Sequence, residues 1–126
     1  MTKIGIVITG RVNSSRLPGK IMRKLTAMTV DRGIRTFTAL EILLYNLQRQ
    51  KDYEIVMALP VDPINDIMAE IANDFHVKVY RGEDESPLHR LHQAAVKNGF
   101  DHVVRITCDD ILIDAVEMCK QIKYHL

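Results

Sequence analysis

With 126 residues, 47% hydrophobic and 26% charged, the chain is expected to form one soluble globular domain spanning residues 1–126, its core built without disulfide or metal staples. Seventeen Lys and Arg against sixteen Asp and Glu leave a net charge of +1, which removes any global electrostatic case for a nucleic-acid or membrane partner. Tryptophan is absent and the apolar runs are short, so neither an aromatic platform for single-stranded nucleic acid nor a membrane span or signal peptide is read.

In chain order, Ile4-Gly5-Ile6-Val7-Ile8-Thr9 reads as a buried parallel strand. Gly10 to Lys20 follows it and concentrates three cations (Arg11, Arg16 and Lys20), the adjacent hydroxyls of Ser14 and Ser15, and two glycines. The carboxyl end of a strand is where open α/β sheets bind ligands. Arginine forks and a lysine point charge suit phosphate oxygens, and small residues let backbone N–H groups approach them. The loop therefore reads as a triphosphate cradle, although Leu17-Pro18-Gly19 is also ordinary turn chemistry and loop cations are often simply solvated. It is neither a P-loop nor a Gly-x-Gly-x-x-Gly turn.

Residues 21–35 give no readable pattern, and Asp31-Arg32-Gly33 breaks any helix there. A helix is predicted from about Thr36 to Gln50, with Leu40, Leu43, Leu44 and Leu47 at helical spacing and Thr36 or Thr38 as its cap. Tyr53 to Leu59 is a second buried strand. Asp62-Pro63 opens the next helix as cap and first residue, with Ile67, Ile71, Ala72 and Phe75 as its inner stripe. Val77 to Tyr80 is a short third strand closed by Arg81-Gly82. Ser86-Pro87 starts a helix that Asn98-Gly99 ends, His102 to Thr107 is a fourth strand, and Asp114 caps a last helix. Strands alternating with helices in this way imply a Rossmann-like, three-layer α/β/α fold with a mainly parallel sheet.

The stretch Arg105 to Asp114 again leaves the carboxyl end of a strand, so sheet geometry brings it toward the Gly10 loop. Asp109 there has the chemistry for Mg²⁺, which takes one or two carboxylates along with phosphate oxygens and water. Asp110 either adds a second ligand or faces solvent. His89 and His92 share a helix face but lack the partners of a metal site, and read as a surface pair. Met57, Met68 and Met118 read as core. Cys108 and Cys119 have no ligand-like spacing and read as free thiols of a cytoplasmic protein. Ser14 and Ser15 lack a sequence-local base, which argues against nucleophilic catalysis.

The order Arg11-x-x-Ser14-Ser15-Arg16-Leu17-Pro18-Gly19-Lys20 after a hydrophobic strand resembles the signature of the sugar cytidylyltransferases. These are the CMP-KDO synthetases, the acylneuraminate cytidylyltransferases and their relatives in spore coat polysaccharide biosynthesis. Their usual Gln-Ala-Arg-x-x-Ser-Thr-Arg-Leu-Pro-Gly-Lys is met here by Thr9-Gly10 in place of Gln-Ala and by Ser15 in place of Thr. Arg105-Ile106-Thr107-Cys108-Asp109-Asp110-Ile111-Leu112-Ile113-Asp114 resembles the family's Arg-Ile-Thr-Gly-Asp-Cys-Pro-Leu-Ile-Asp, with Cys108 for Gly, Asp110 for Cys and Ile111 for Pro. Arg81-Gly82, an acidic turn and Leu88-His89-Arg90 resemble a strand end followed by a Leu-Asp-Arg helix start.

The resemblance implies a nucleotide-diphospho-sugar transferase-like fold, cut to its nucleotide-binding N-terminal half. It implies CTP as nucleotide, Mg²⁺ as cofactor, a sugar or sugar acid as acceptor, and pyrophosphate as leaving group. Thr9, Gly10, Arg11, Ser14, Ser15, Arg16, Lys20, Arg81 and Gly82 would bind the nucleotide. Of these, Arg16 and Lys20 would hold the β- and γ-phosphates, Arg11 would sit near the α-phosphate, Gly10 would lie against the base, and Arg81 and Gly82 would lie near the base pocket; Asp109 would hold the metal. Family enzymes are considerably longer, so two readings stand: a transferase, complete only with a homodimer or partner chain or as a piece of a longer protein, and a nucleotide-binding or regulatory module that has lost catalysis. A flavodoxin-like acidic-pocket domain is disfavoured, because cations follow the first strand and carboxylates the fourth.

Overall fold

A computed structural model describes residues 2–11, 24–30, 33–83, 86–108 and 113–126, with residues 24–37 described by their backbone alone. Four strands, β1 (Ile4–Thr9), β4 (Glu54–Pro60), β5 (Lys78–Gly82) and β6 (His102–Thr107), form one all-parallel sheet in the order β5-β4-β1-β6. Helices α1 (Ala39–Leu47), α2 (Asp66–Asp74), α3 (Pro87–Lys97) and α4 (Ala115–His125) lie between and after them. Strands β2 (Lys24–Val30) and β3 (Gly33–Thr38) pair antiparallel as a separate hairpin.

The sheet is covered on both faces because its central strands, β1 and β4, are apolar on both. Ile6 and Ile8 of β1, Met57 and Leu59 of β4 and Ile106 of β6 point to one face. There they meet the leucines of α1, Met68 and Ala72 of α2, and Met118 and Ile122 of α4. Val7, Val56 and Ala58 point to the other face, where Ala94 and half-buried Leu91 of α3 cover them. This is the α/β/α layering expected from the alternation of elements. Leu40, Leu43, Leu44 and Leu47 are fully buried, each contributing about 2–5 kcal/mol against truncation to alanine.

Local chemistry sets the helix starts. Thr38 caps α1 in a capping box: Glu41 N–H donates to Thr38 Oγ1 at 3.2 Å, and Thr38 N–H donates to Glu41 Oε1 at 3.1 Å. Ser86 Oγ accepts from the His89 N–H, with Pro87 at the first helical position of α3. Asp114 Oδ1 accepts from the N–H groups of Val116 and Glu117, opening α4 as the sequence predicts. Asn98 is the C-cap of α3 and Gly99 follows at φ 70°.

Three expectations need correction. Where the sequence shows no pattern and then predicts a helix from Thr36, the β2–β3 hairpin forms, and its ladder keeps Thr36 to Thr38 extended, so α1 begins at Ala39. The helix also stops at Leu47 rather than near Gln50. The buried Gln50 side chain instead takes the Tyr53 N–H at 2.9 Å and donates to the Tyr53 carbonyl at 3.1 Å, turning the chain into β4. Finally, Asp62 and Pro63 open a 3₁₀ turn (Pro63–Asn65) before α2, and Ile67 is exposed while Met68 is buried. The tighter winding of that turn shifts the phase of the helix that follows.

Candidate nucleotide crevice at the carboxyl ends of β1 and β6

The strand order makes a topological switch point between β1 and β6. From β1 the chain moves to β4 and β5 on one side, then returns to β6 on the other. The ends of β1 and β6 therefore lie side by side where the chain order reverses, the usual ligand position in such sheets. Pairing is in register to the rim, with Ile8 beside Ile106 and Thr9 beside Thr107. One residue further, the Cys108 N–H donates to the Thr9 carbonyl at 3.1 Å.

Side chains at this rim are tightly complementary. Thr9 is buried, Gly10 half-buried and Arg11 exposed. Cys108 is buried directly under Gly10, and a Cβ on Gly10 would stand 2.2 Å from Cys108 Sγ and 2.9 Å from Cys108 Cβ. Glycine is thus needed at position 10 for the close approach of β6, a packing reason distinct from contact with a base. Ser14, Ser15, Arg16, Lys20 and Asp109 lie outside the described residues. Their chain neighbours Arg11 and Cys108 start from adjacent points of one rim.

Arg81 and Gly82 end β5, two strands from β1 on the same rim. The Arg81 guanidinium spans to the loop after β4: Nε donates to the Pro60 carbonyl at 2.8 Å, Nη2 to the Asp62 carbonyl at 3.1 Å, and Nη1 pairs with Asp66 Oδ1 at 3.0 Å. The Val61 N–H donates to the Gly82 carbonyl at 2.9 Å. The fork so placed knits the β4 and β5 exits together. Beneath them lies Arg90 of α3, only 1% exposed, whose Nη1 donates to the Glu83 carbonyl at 3.0 Å.

Sequence reasoning missed both Cys108 as the partner of Gly10 and Arg90 as a buried cation. A signal for Arg90 was available, since it falls on the stripe with Leu91, Ala94 and Ala95 that faces the sheet. His89 and His92 are both exposed, in keeping with a surface pair. Among the described residues no group of three or more His, Cys, Asp or Glu could hold a metal ion. Nor, among them, is any helix long and apolar enough to cross a membrane.

A solved cytidylyltransferase from Leptospira borgpetersenii serovar Hardjo-bovis superposes with a TM-score of 0.84 and 32% sequence identity, over 98% of this chain and 49% of that one. The chain has the fold of about half a cytidylyltransferase. A CMP:2-keto-3-deoxy-manno-octonic acid synthetase solved in complex with CTP shares that fold at a TM-score of 0.74 and 22% identity, over 98% of this chain and 47% of its own. An uncharacterized protein of Methanocaldococcus jannaschii is 34% identical over 125 residues, covering 98% of this chain and 48% of the relative. No protein-family model matches. The chain thus spans about half the length of each of these three proteins, and an N-terminal half fits that coverage. The cytidylyltransferase resemblance read from the two rim motifs, and the nucleotidyltransferase-like fold it implied, are those of these neighbours.

Proposed function

We propose that this chain is the nucleotide-binding part of a cytidylyltransferase, holding CTP and Mg²⁺ and supporting transfer of CMP to a sugar or sugar acid in surface polysaccharide biosynthesis. The observation that carries the reading is the switch point between β1 and β6, which starts the cationic loop and the Asp109 segment from neighbouring strand ends. The CTP complex of the synthetase that shares the fold supports the choice of nucleotide.

In this reading the acceptor hydroxyl oxygen bonds to the α-phosphorus of CTP and gives up its proton to solvent water, the α–β phosphoanhydride bond breaks, and pyrophosphate leaves with the bond's electron pair. Arg16 and Lys20 neutralise the β- and γ-phosphates and so the leaving group; Arg11 lies toward the α-phosphate. Backbone N–H groups of the loop complete the cradle. Asp109 fits Mg²⁺ by its donor chemistry, one carboxylate beside polyphosphate oxygens, and it directly follows Cys108 at the β6 rim. Bound there, the metal would supply charge neutralisation on the phosphates.

A second reading is a catalytically incomplete nucleotide-binding or regulatory module that acts with a partner chain. Calorimetry with CTP, ATP and GTP, with and without Mg²⁺, tests binding and base choice. A pyrophosphate-release assay with sugar acids then separates enzyme from module. Absence of nucleotide binding under every condition would refute both readings.

A further inference from the structure

Arg90 has no assigned role, and its surroundings are unusual for a surface helix. Arginine is rarely fully buried without a specific reason, because removing a guanidinium from water is costly and seldom repaid in stability. Here the side chain is buried against the sheet from α3, and its Nη1 holds the Glu83 carbonyl at 3.0 Å. Its stem lies under Gly82: a Cβ there would meet Arg90 Cγ at 3.1 Å, Cδ at 3.6 Å and Tyr80 Cε1 at 2.9 Å. The absent side chain of Gly82 thus lets the arginine pass beneath the strand end and grip the turn from below.

The same strand end is gripped from the β4 side by Arg81 and by the Val61–Gly82 hydrogen bond. Two arginines, one spanning to the loop before α2 and one rising from α3, therefore fix a short piece of backbone at the sheet's carboxyl rim. That piece lies two strands from β1, about 10 Å along the rim at ordinary strand spacing. With phosphates between the β1 and β6 exits, the pinned β4–β5 rim on the β1 side is a described surface within reach of the rest of a nucleotide. β6 is the sheet's other edge among the described residues.

We propose that Arg90 is a positioning residue for nucleotide recognition: it sets the Gly82-Glu83 backbone against which the nucleoside half of the ligand rests, and leaves the phosphate half untouched. This rests on the proposed nucleotide-binding function. It predicts a split between ligands that a merely structural role would not produce.

The test is calorimetry on the full chain with two probes, Mg²⁺–CTP and Mg²⁺–pyrophosphate, for wild type, Arg90→Met, Arg90→Lys and Gly82→Ala. Arg90→Met is expected to weaken CTP binding about tenfold, in line with loss of one charge-assisted hydrogen bond, and to leave pyrophosphate affinity within about twofold. Arg90→Lys should recover part of the loss. Gly82→Ala, which crowds the stem while keeping the guanidinium, should show the same split. Equal weakening of both probes, or no change in CTP affinity in Arg90→Met and Gly82→Ala, would overturn the inference. Wild-type chain that binds neither probe would instead remove the nucleotide reading beneath it, before any variant is compared.

Discussion

Replacing Gly10 with alanine would put a methyl group 2.2 Å from Cys108 Sγ and 2.9 Å from Cys108 Cβ, well inside van der Waals contact. Both positions lie on neighbouring parallel strands whose ends are tied by the Cys108–Thr9 hydrogen bond, so neither backbone can retreat without breaking the rim. Overpacking of this kind costs about 1–3 kcal/mol. The motifs that these strand ends resemble carry alanine at the first position and glycine at the second, the reverse of the pair here. One side chain fills the space, and here β6 supplies it. Gly10→Ala should therefore lose about 1–3 kcal/mol alone, and far less in a Cys108→Gly background, giving a coupling on the order of 1–3 kcal/mol. Urea unfolding of the four members of the cycle, with m-values checked for constancy, measures it. A Gly10→Ala penalty that is the same in both backgrounds would refute the claim that the thiol occupies this space.

Further expectations concern stability. His76 sits at φ 58°, its N–H donating to the Asn73 carbonyl and the Val77 N–H to the Ala72 carbonyl, the Schellman pattern at the end of α2, where glycine is the usual residue. His76→Gly should gain about 1 kcal/mol and raise Tm by a few degrees; an unchanged or lower Tm contradicts this. At the amino end of the sheet, Lys78, aided by Lys3, holds the Glu54 carboxyl below its ordinary pKa against the upward push of burial. A depressed carboxylate stabilises the fold above its unfolded-state pKa and loses that contribution as pH falls through the folded value. Wild type should exceed Glu54→Gln by up to about 1 kcal/mol near neutrality, and the gap should close in acid. A gap in urea midpoint that does not change with pH would argue against the ion pair as its source.

How much of this was legible depended on how local each cause is. Strands β1 and β6 could be read to the residue: β1 is a buried apolar run, β6 is rich in β-branched residues, and clear breaks bound them at Gly10 and after Thr107. The caps at Asp62, Ser86 and Asp114 were equally plain, because a cap is chemistry between near neighbours. The β2–β3 hairpin was not, since each of its strands is defined by pairing with the other. Ile67 was misplaced because a 3₁₀ turn upstream altered the helical phase. At the candidate site the two rim stretches could be found by composition and position, whereas the Cys108–Gly10 fit, the Arg81 bridge and the burial of Arg90 exist only once distant segments meet.

In the proposed nucleotide site the exits of β1 and β6 face one polyphosphate ligand. An NMR titration of the full chain with Mg²⁺–CTP, following backbone amides, tests it most directly. Gly10 and Arg11 on one strand exit, and Thr107 and Cys108 on the other, should shift together along a single binding curve, while Phe100 and Asp101 at the far end of the sheet stay still. Shifts confined to one exit, or two exits that saturate at different concentrations, would contradict it.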